Sequence, residues 1–87
     1  MSKLSYFNAK KYLLTDIKET SQEIYETLIL INDYEKMLYR VKLGEDLMEL
    51  NVIEGTLKEL NESLDELTSF KEDYEKQLKT VEEEEKS

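Results

Sequence analysis

Residues 57–78 read LKELNESLDELTSFKEDYEKQL, and the spacing of their apolar side chains decides the fold. Leu57, Leu64 and Leu78 fall in one heptad column with Lys71 between them, while Leu60, Leu67 and Tyr74 fill a second column three residues on. This three-four alternation keeps one stripe of a helix turned toward a partner helix. Working outward, Leu43 and Leu50 extend the first column, and Ile53 and Val81 extend the second. The flanking Thr56, Asn61, Ser63 and Thr68 are small and polar, so the seam is narrow; Phe70 thickens it beside Lys71. Lys71 can pack its stem while its ammonium reaches water. A lone polar residue in such a column specifies pairing at a cost in stability.

A second pattern lies upstream, from about Asn8 to Lys42. Ile17, Ile24, Ile31 and Leu38 recur every seven residues, and Tyr6, Leu13, Thr20, Thr27, Tyr34 and Val41 form the companion column. Here Phe7, Leu14 and Leu28 widen the stripe on one flank, and Leu30 and Met37 on the other. The predicted apolar interface is therefore Leu14, Ile17, Ile24, Leu28, Leu30, Ile31, Tyr34, Met37 and Leu38. A stripe this broad suits a helix that touches more than one neighbour. Tyr34 and Tyr74 sit in the seam and read as core. Tyr12, Tyr25 and Tyr39 fall off it, where exposed aromatics serve an interface. Asn8 is a candidate cap for this helix, with Phe7 and Tyr12 as a hydrophobic staple, and Ser5 competes with it.

The two patterns meet at residues 43–46. Gly44 suits the left-handed end of a helix, Lys42 its last turn, and Asp46 the cap of the next helix with Glu49 three residues on. The sequence thus predicts one all-α domain: helix 1 over about 8–42, a turn at 43–46, helix 2 over about 46–81 and an acidic tail at 82–87. Two arms of nearly equal length and a tight turn favour an antiparallel hairpin. The surplus width of the first arm predicts a homodimer, two hairpins forming a four-helix bundle. The alternative is a monomeric three-helix bundle broken near Gly44 and again near Thr20 or Asn51.

Composition narrows the function. The 87 residues include no cysteine, histidine or proline, and the net charge is −9. Disulfides, thiolate chemistry and the usual neutral-pH base are excluded. Glu23 with Glu26, or Glu62 with Glu66, share helix faces, but di-metal bundles draw on inward Glu-x-x-His ligands and the inward columns here are apolar. Ser63 and Ser69 lack an activating base. No catalytic, cofactor-binding or metal residues are therefore expected. No apolar run is long enough to span a bilayer. Met1 to Leu14 lacks the apolar core of a signal peptide, so a cytoplasmic protein with no membrane partner is expected.

Charge divides the chain in two. Residues 1–43 carry seven basic and six acidic side chains, and residues 44–87 carry five and fifteen. The expected acidic face is Glu59, Glu62, Asp65, Glu66, Glu72 and Asp73. The four glutamates at 82–85 stand at the negative end of a helix dipole and should fray. Direct nucleic-acid binding needs a basic patch that this chain lacks. The acidic arm reads first as a solvated face. Its functional reading is a mimic of a phosphate array that blocks a basic nucleic-acid-binding protein of a host or defence system, anti-CRISPR-like in kind. A third reading is a structural or scaffolding coiled coil.

Asn8-Ala9-Lys10-Lys11-Tyr12-Leu13, followed by Ile17 and Ile24, resembles the first helix of phage regulators of the ArpU/RinA type, and SLDELTSFKEDYEKQL at 63–78 is similar to their second helix. The resemblance implies a helical hairpin ahead of a DNA-reading helix-turn-helix. No such module stands in these 87 residues, so the resemblance carries over only the hairpin and an expected protein partner, in a phage or mobile-element protein.

Overall fold

The computed structural model describes residues 2–44 and 47–87, with nothing assigned to the side chain of Leu47. Helix α1 spans Lys3–Gly44 and helix α2 spans Leu47–Lys86; they pack against each other as an antiparallel hairpin. Among the described residues there is no strand. A helix the length of α1 should run about 63 Å at the standard rise per residue. The long dimension of the molecule is 63 Å, with cross-section 14 × 13 Å. Both helices are therefore straight through their whole length. The three-helix alternative fails, since neither Thr20 nor Asn51 interrupts its helix. Thr20 keeps its hydroxyl on the Asp16 carbonyl at 2.7 Å, inside a continuous turn.

The burial pattern follows the two heptad columns. Ile31, Ile53 and Leu57 are buried, and Tyr34, Leu38, Val41, Leu60 and Leu64 pack against them. This cluster lies in the half of the hairpin nearest the turn. Toward the open end the seam continues through half-buried Ile24, Ile17, Leu13 and Tyr6 on α1, and Leu67, Lys71, Tyr74, Leu78 and Val81 on α2. Between Leu13, which shares a groove with Val81, and Ile31 beside Leu57, equal helical rises set Thr20 level with the turn Lys71–Tyr74. Thr20 is only 8% exposed. Its hydroxyl is satisfied within its own helix, so burial leaves no orphan donor. The six threonine hydroxyls at 15, 20, 27, 56, 68 and 80 all donate to the carbonyl four residues back, which is how a helix accommodates this residue.

Both ends differ from expectation. The start of α1 is at Lys3, not Asn8. Ser2 is the cap: the Ser5 N–H donates to Ser2 Oγ at 3.1 Å, and that hydroxyl donates to Ser5 Oγ at 3.0 Å. The pair occupies the capping-box positions with serine in place of glutamate. Asn8, Phe7 and Tyr12 therefore lie inside the helix, and Phe7 and Tyr12 are exposed. The glutamates at 82–85 are helical, with α2 running to Lys86. Antiparallel packing brings this end beside the first turns of α1, where Glu85 pairs with Lys10. That attraction and the half-buried Val81 outweigh repulsion between exposed glutamates, which is worth only tenths of a kcal/mol per pair.

Gly44 ends α1 with its backbone outside the left-handed region, so the predicted glycine cap is not the terminating device. The predicted Asp46 cap, and Glu45, lie outside the described residues. Gly55 stands within α2, and a Cβ there would meet nothing within 4 Å. A mid-helix glycine costs about 0.5–1 kcal/mol relative to alanine through backbone entropy. Gly55→Ala should thus raise the urea midpoint by about that free energy with no change in association; an unchanged midpoint would show that glycine is needed there for a reason other than space.

Candidate functional site: two unlike faces

α2 lies over the middle of the broad stripe of α1 and splits it. Of the nine residues expected to form one interface, Ile17, Ile24, Ile31, Tyr34 and Leu38 turn into the hairpin's own seam and are buried or half-buried. Leu14 and Leu28 stay exposed on one flank, and Leu30 and Met37 on the other. These two pairs cannot share a single partner helix, because the seam runs between them. Periodicity already sets the two pairs on opposite flanks; what the structure adds is that α2 closes the columns between them. The run Leu28-Ile29-Leu30-Ile31 circles the helix, and only the position of α2 decides which edges it covers.

The flank of Leu14 and Leu28 has more members than the sequence suggested. Leu4, Phe7, Leu14, Tyr25, Leu28 and Tyr39 follow their own three-four spacing, offset from the seam, and all are exposed. Phe7 and Leu14, with the stems of Lys10, Lys11 and Lys18, line a shallow groove of about 510 Å³ near the start of α1. The signal was present in the sequence as a second heptad register. It was masked by the stronger one beside it.

The opposite flank is of different character. Leu30 and Met37 there lie among Asp16, Glu19, Glu23, Glu26 and Asp33 of α1 in the same two heptad columns. Ala9 and Tyr12 share a groove with Gln77, Thr80 and Glu84, which identifies the edge of α2 that adjoins this flank. That edge carries Glu49, Glu59, Glu66, Asp73 and Glu84. Arg40 is the one basic residue in these columns, so among the described residues this face carries ten carboxylates and a net charge of −9. The opposite face, with six acidic and six basic side chains in the corresponding columns, is neutral.

The acidity, which by count lies in the second arm, is gathered in space on one face of the rod. Half of its carboxylates come from α1, whose own net charge is close to zero. The six residues predicted as the acidic face are all exposed, but the helix separates them. Glu59, Glu66 and Asp73 lie on the acidic face, Asp65 and Glu72 on the neutral one, and Glu62 on the back of α2. Among the described residues no three carboxylates converge as a metal cage, and no helix is long and apolar enough to cross a membrane. Comparison with known families, curated proteins and solved structures finds no match to this chain. Its function is therefore argued from these two faces.

Proposed function

We infer that this chain is a non-catalytic protein–protein interaction module, encoded by a phage or mobile element and acting in the cytoplasm by binding a protein partner and occluding its surface. The supporting observation is the uncovered apolar stripe on α1. Six large side chains remain exposed along one flank of a hairpin whose own seam is already closed. A stripe of this length on a small protein marks a contact surface. The molecule also exposes more surface than its mass requires. A folded monomer of this mass is expected to expose about 5,400 Å², whereas the hairpin exposes 6873 Å². The reading is tested by cross-linking the tagged chain in a bacterial lysate and comparing it with Leu28→Glu. Specific partners, including a second copy, are expected with the parent and lost with the variant. A chain that retains nothing through Leu28 sinks the reading.

The second reading, mimicry of nucleic acid, is supported by the ten carboxylates gathered on one face. Binding to a basic nucleic-acid-binding protein should then weaken steeply with salt. The two faces sharpen the test. Glu66→Lys with Asp73→Lys should abolish such binding, while Asp65→Lys with Glu72→Lys, equal in charge change but on the neutral face, should leave most of it. Equal losses from both pairs would show that only net charge matters, and mimicry would be rejected.

A further inference from the structure

We propose that the neutral face is a self-association surface, on which α1 packs antiparallel against α1 of a second copy about a two-fold axis near Ser21. This rests on the interaction-module reading and names its partner. A dimer formed through the acidic face would press two surfaces of net charge −9 together, and like charges facing across an interface oppose association. The other face has equal numbers of acidic and basic groups, with a net +2 on α1 (Lys11, Lys18 and Lys42 against Glu35) offset by −2 on the adjoining edge of α2, so two copies meet there against far less repulsion than through the acidic face. It also holds the stripe Leu4, Phe7, Leu14, Tyr25, Leu28 and Tyr39, all six on one helix, whereas the five exposed apolar side chains of the acidic face are divided between α1 (Tyr12, Leu30, Met37) and α2 (Val52, Phe70).

The stripe is complementary to itself when reversed. Phe7, Leu14, Ser21, Leu28 and Glu35 are spaced by seven residues, so a two-fold axis at Ser21 lays Leu14 of one copy opposite Leu28 of the other. The same reversal sets Phe7 level with Glu35 of the second copy, and leaves Lys11 about one turn from that Glu35 and Phe7 about one turn from its Tyr39. An isologous contact of this kind satisfies both copies at once and closes. At the centre, the small Ser21 side chain lets the two helices approach. The surface excess of about 1,500 Å² over a compact monomer exceeds the roughly 800 Å² per partner that a standard interface covers. Four helices then form a bundle with the two α1 helices inside and the acidic faces turned outward.

Leu28 and Leu30 make the test sharp. They are two residues apart and 47% and 46% exposed, so glutamate costs the hairpin about the same at either, yet they stand on opposite faces. Light scattering across a concentration series should show a dimer for the parent and for Leu30→Glu. Leu28→Glu should weaken dimerisation on the order of tenfold or more, with helicity retained by circular dichroism. Tyr25→Lys serves as the second variant on the same face should Leu28→Glu lose helicity. Because the chain has no cysteine, Ser21→Cys should form a symmetric intermolecular disulfide under mild oxidation, while Glu62→Cys on the back of α2 should not. A parent that stays monomeric at every concentration, a dimer broken by Leu30→Glu and not by Leu28→Glu, or equal cross-linking from both cysteines overturns the proposal. A monomer that still holds another protein through Leu28 overturns self-association and leaves the module reading standing; a monomer that holds nothing overturns both.

Discussion

Ile53→Ala is expected to bring the hairpin close to its unfolding midpoint at room temperature, with a substantial unfolded fraction before any urea is added. Ile53 is the most deeply buried side chain in the hairpin, 4% exposed, and it packs with Ile31 and Leu57. Truncating a buried isoleucine to alanine removes transfer free energy and leaves a cavity, costing about 2–5 kcal/mol. A core of this size supplies only about 3–5 kcal/mol in total. The substitution therefore removes most of the margin. The neighbouring Val52 is the internal control. It is apolar and adjacent in sequence but exposed, so Val52→Ala should fall within about 0.5 kcal/mol of the parent. Urea unfolding followed by far-ultraviolet circular dichroism measures both. Similar midpoints for the two variants would mean that the turn-proximal cluster does not hold the hairpin closed.

The same comparison probes how stability is distributed along the rod. Among the described residues the three buried apolar side chains lie toward the turn, and the open end is held by half-buried contacts, the Lys10–Glu85 pair and Thr20. An exposed ion pair contributes at most about 1 kcal/mol. The open end therefore has little to resist local opening, and amide exchange should quicken from the turn outward. This gradient bears on association. The apolar stripe on the neutral face starts at Leu4 and Phe7, at that weaker end, so a partner packed there would steady the part of the hairpin that its own seam holds least.

The fold was legible in the sequence because it depends on one repeated spacing. Leu50, Ile53, Leu57, Leu60, Leu64, Leu67, Lys71, Tyr74, Leu78 and Val81 belong to the seam by their period, and each is buried or half-buried there; Leu43, which the same period places in that column, instead stands in the last turn of α1 and is exposed. What period could not supply was anything requiring contact between residues distant in the chain. The glutamates at 82–85 are helical, and the contact made there, Glu85 with Lys10, joins opposite ends of the sequence. The cap at Ser2 is not legible from period, because the apolar pattern points to a start near Asn8 while the N-terminal signal is a polar one. Charge misled in a third way. Halving the chain at Gly44 gave a neutral arm and an acidic arm. An antiparallel pair instead brings the columns of Asp16, Glu23 and Glu26 alongside those of Glu59, Glu66 and Asp73, so the physically meaningful division runs along the rod.

The charged layer at Lys71, set among the apolar layers of α2, gives the last expected result. Lys71→Leu should stabilise the hairpin and at the same time loosen its choice of partner. The Lys71 side chain is 37% exposed, and its ion pair with Glu75 spans 3.9 Å one turn along the same helix. Such a pair contributes about 0.3–0.5 kcal/mol. Leucine in its place continues the column of Leu57, Leu64 and Leu78. Fully burying a leucine gains about 1.5–3 kcal/mol; with the site still partly open, the net gain should be about 1–2 kcal/mol. The urea midpoint should rise accordingly, and more so with Thr20→Val, which offers an apolar face at the same level of α1. Specificity moves the other way. With lysine, sliding α2 by one heptad along α1 would bury an ammonium among leucines or remove it from Thr20. With leucine, the column repeats almost perfectly, so shifted registers and hairpins opened into longer intermolecular coils become competitive. Light scattering should then report a broader, concentration-dependent mass distribution for Lys71→Leu than for the parent. A lower midpoint would mean that the Glu75 pair and Thr20 form a favourable polar layer. A higher midpoint with an unchanged mass distribution would mean that register is set by the turn and the buried Ile31–Ile53–Leu57 cluster, leaving Lys71 with no part in the choice.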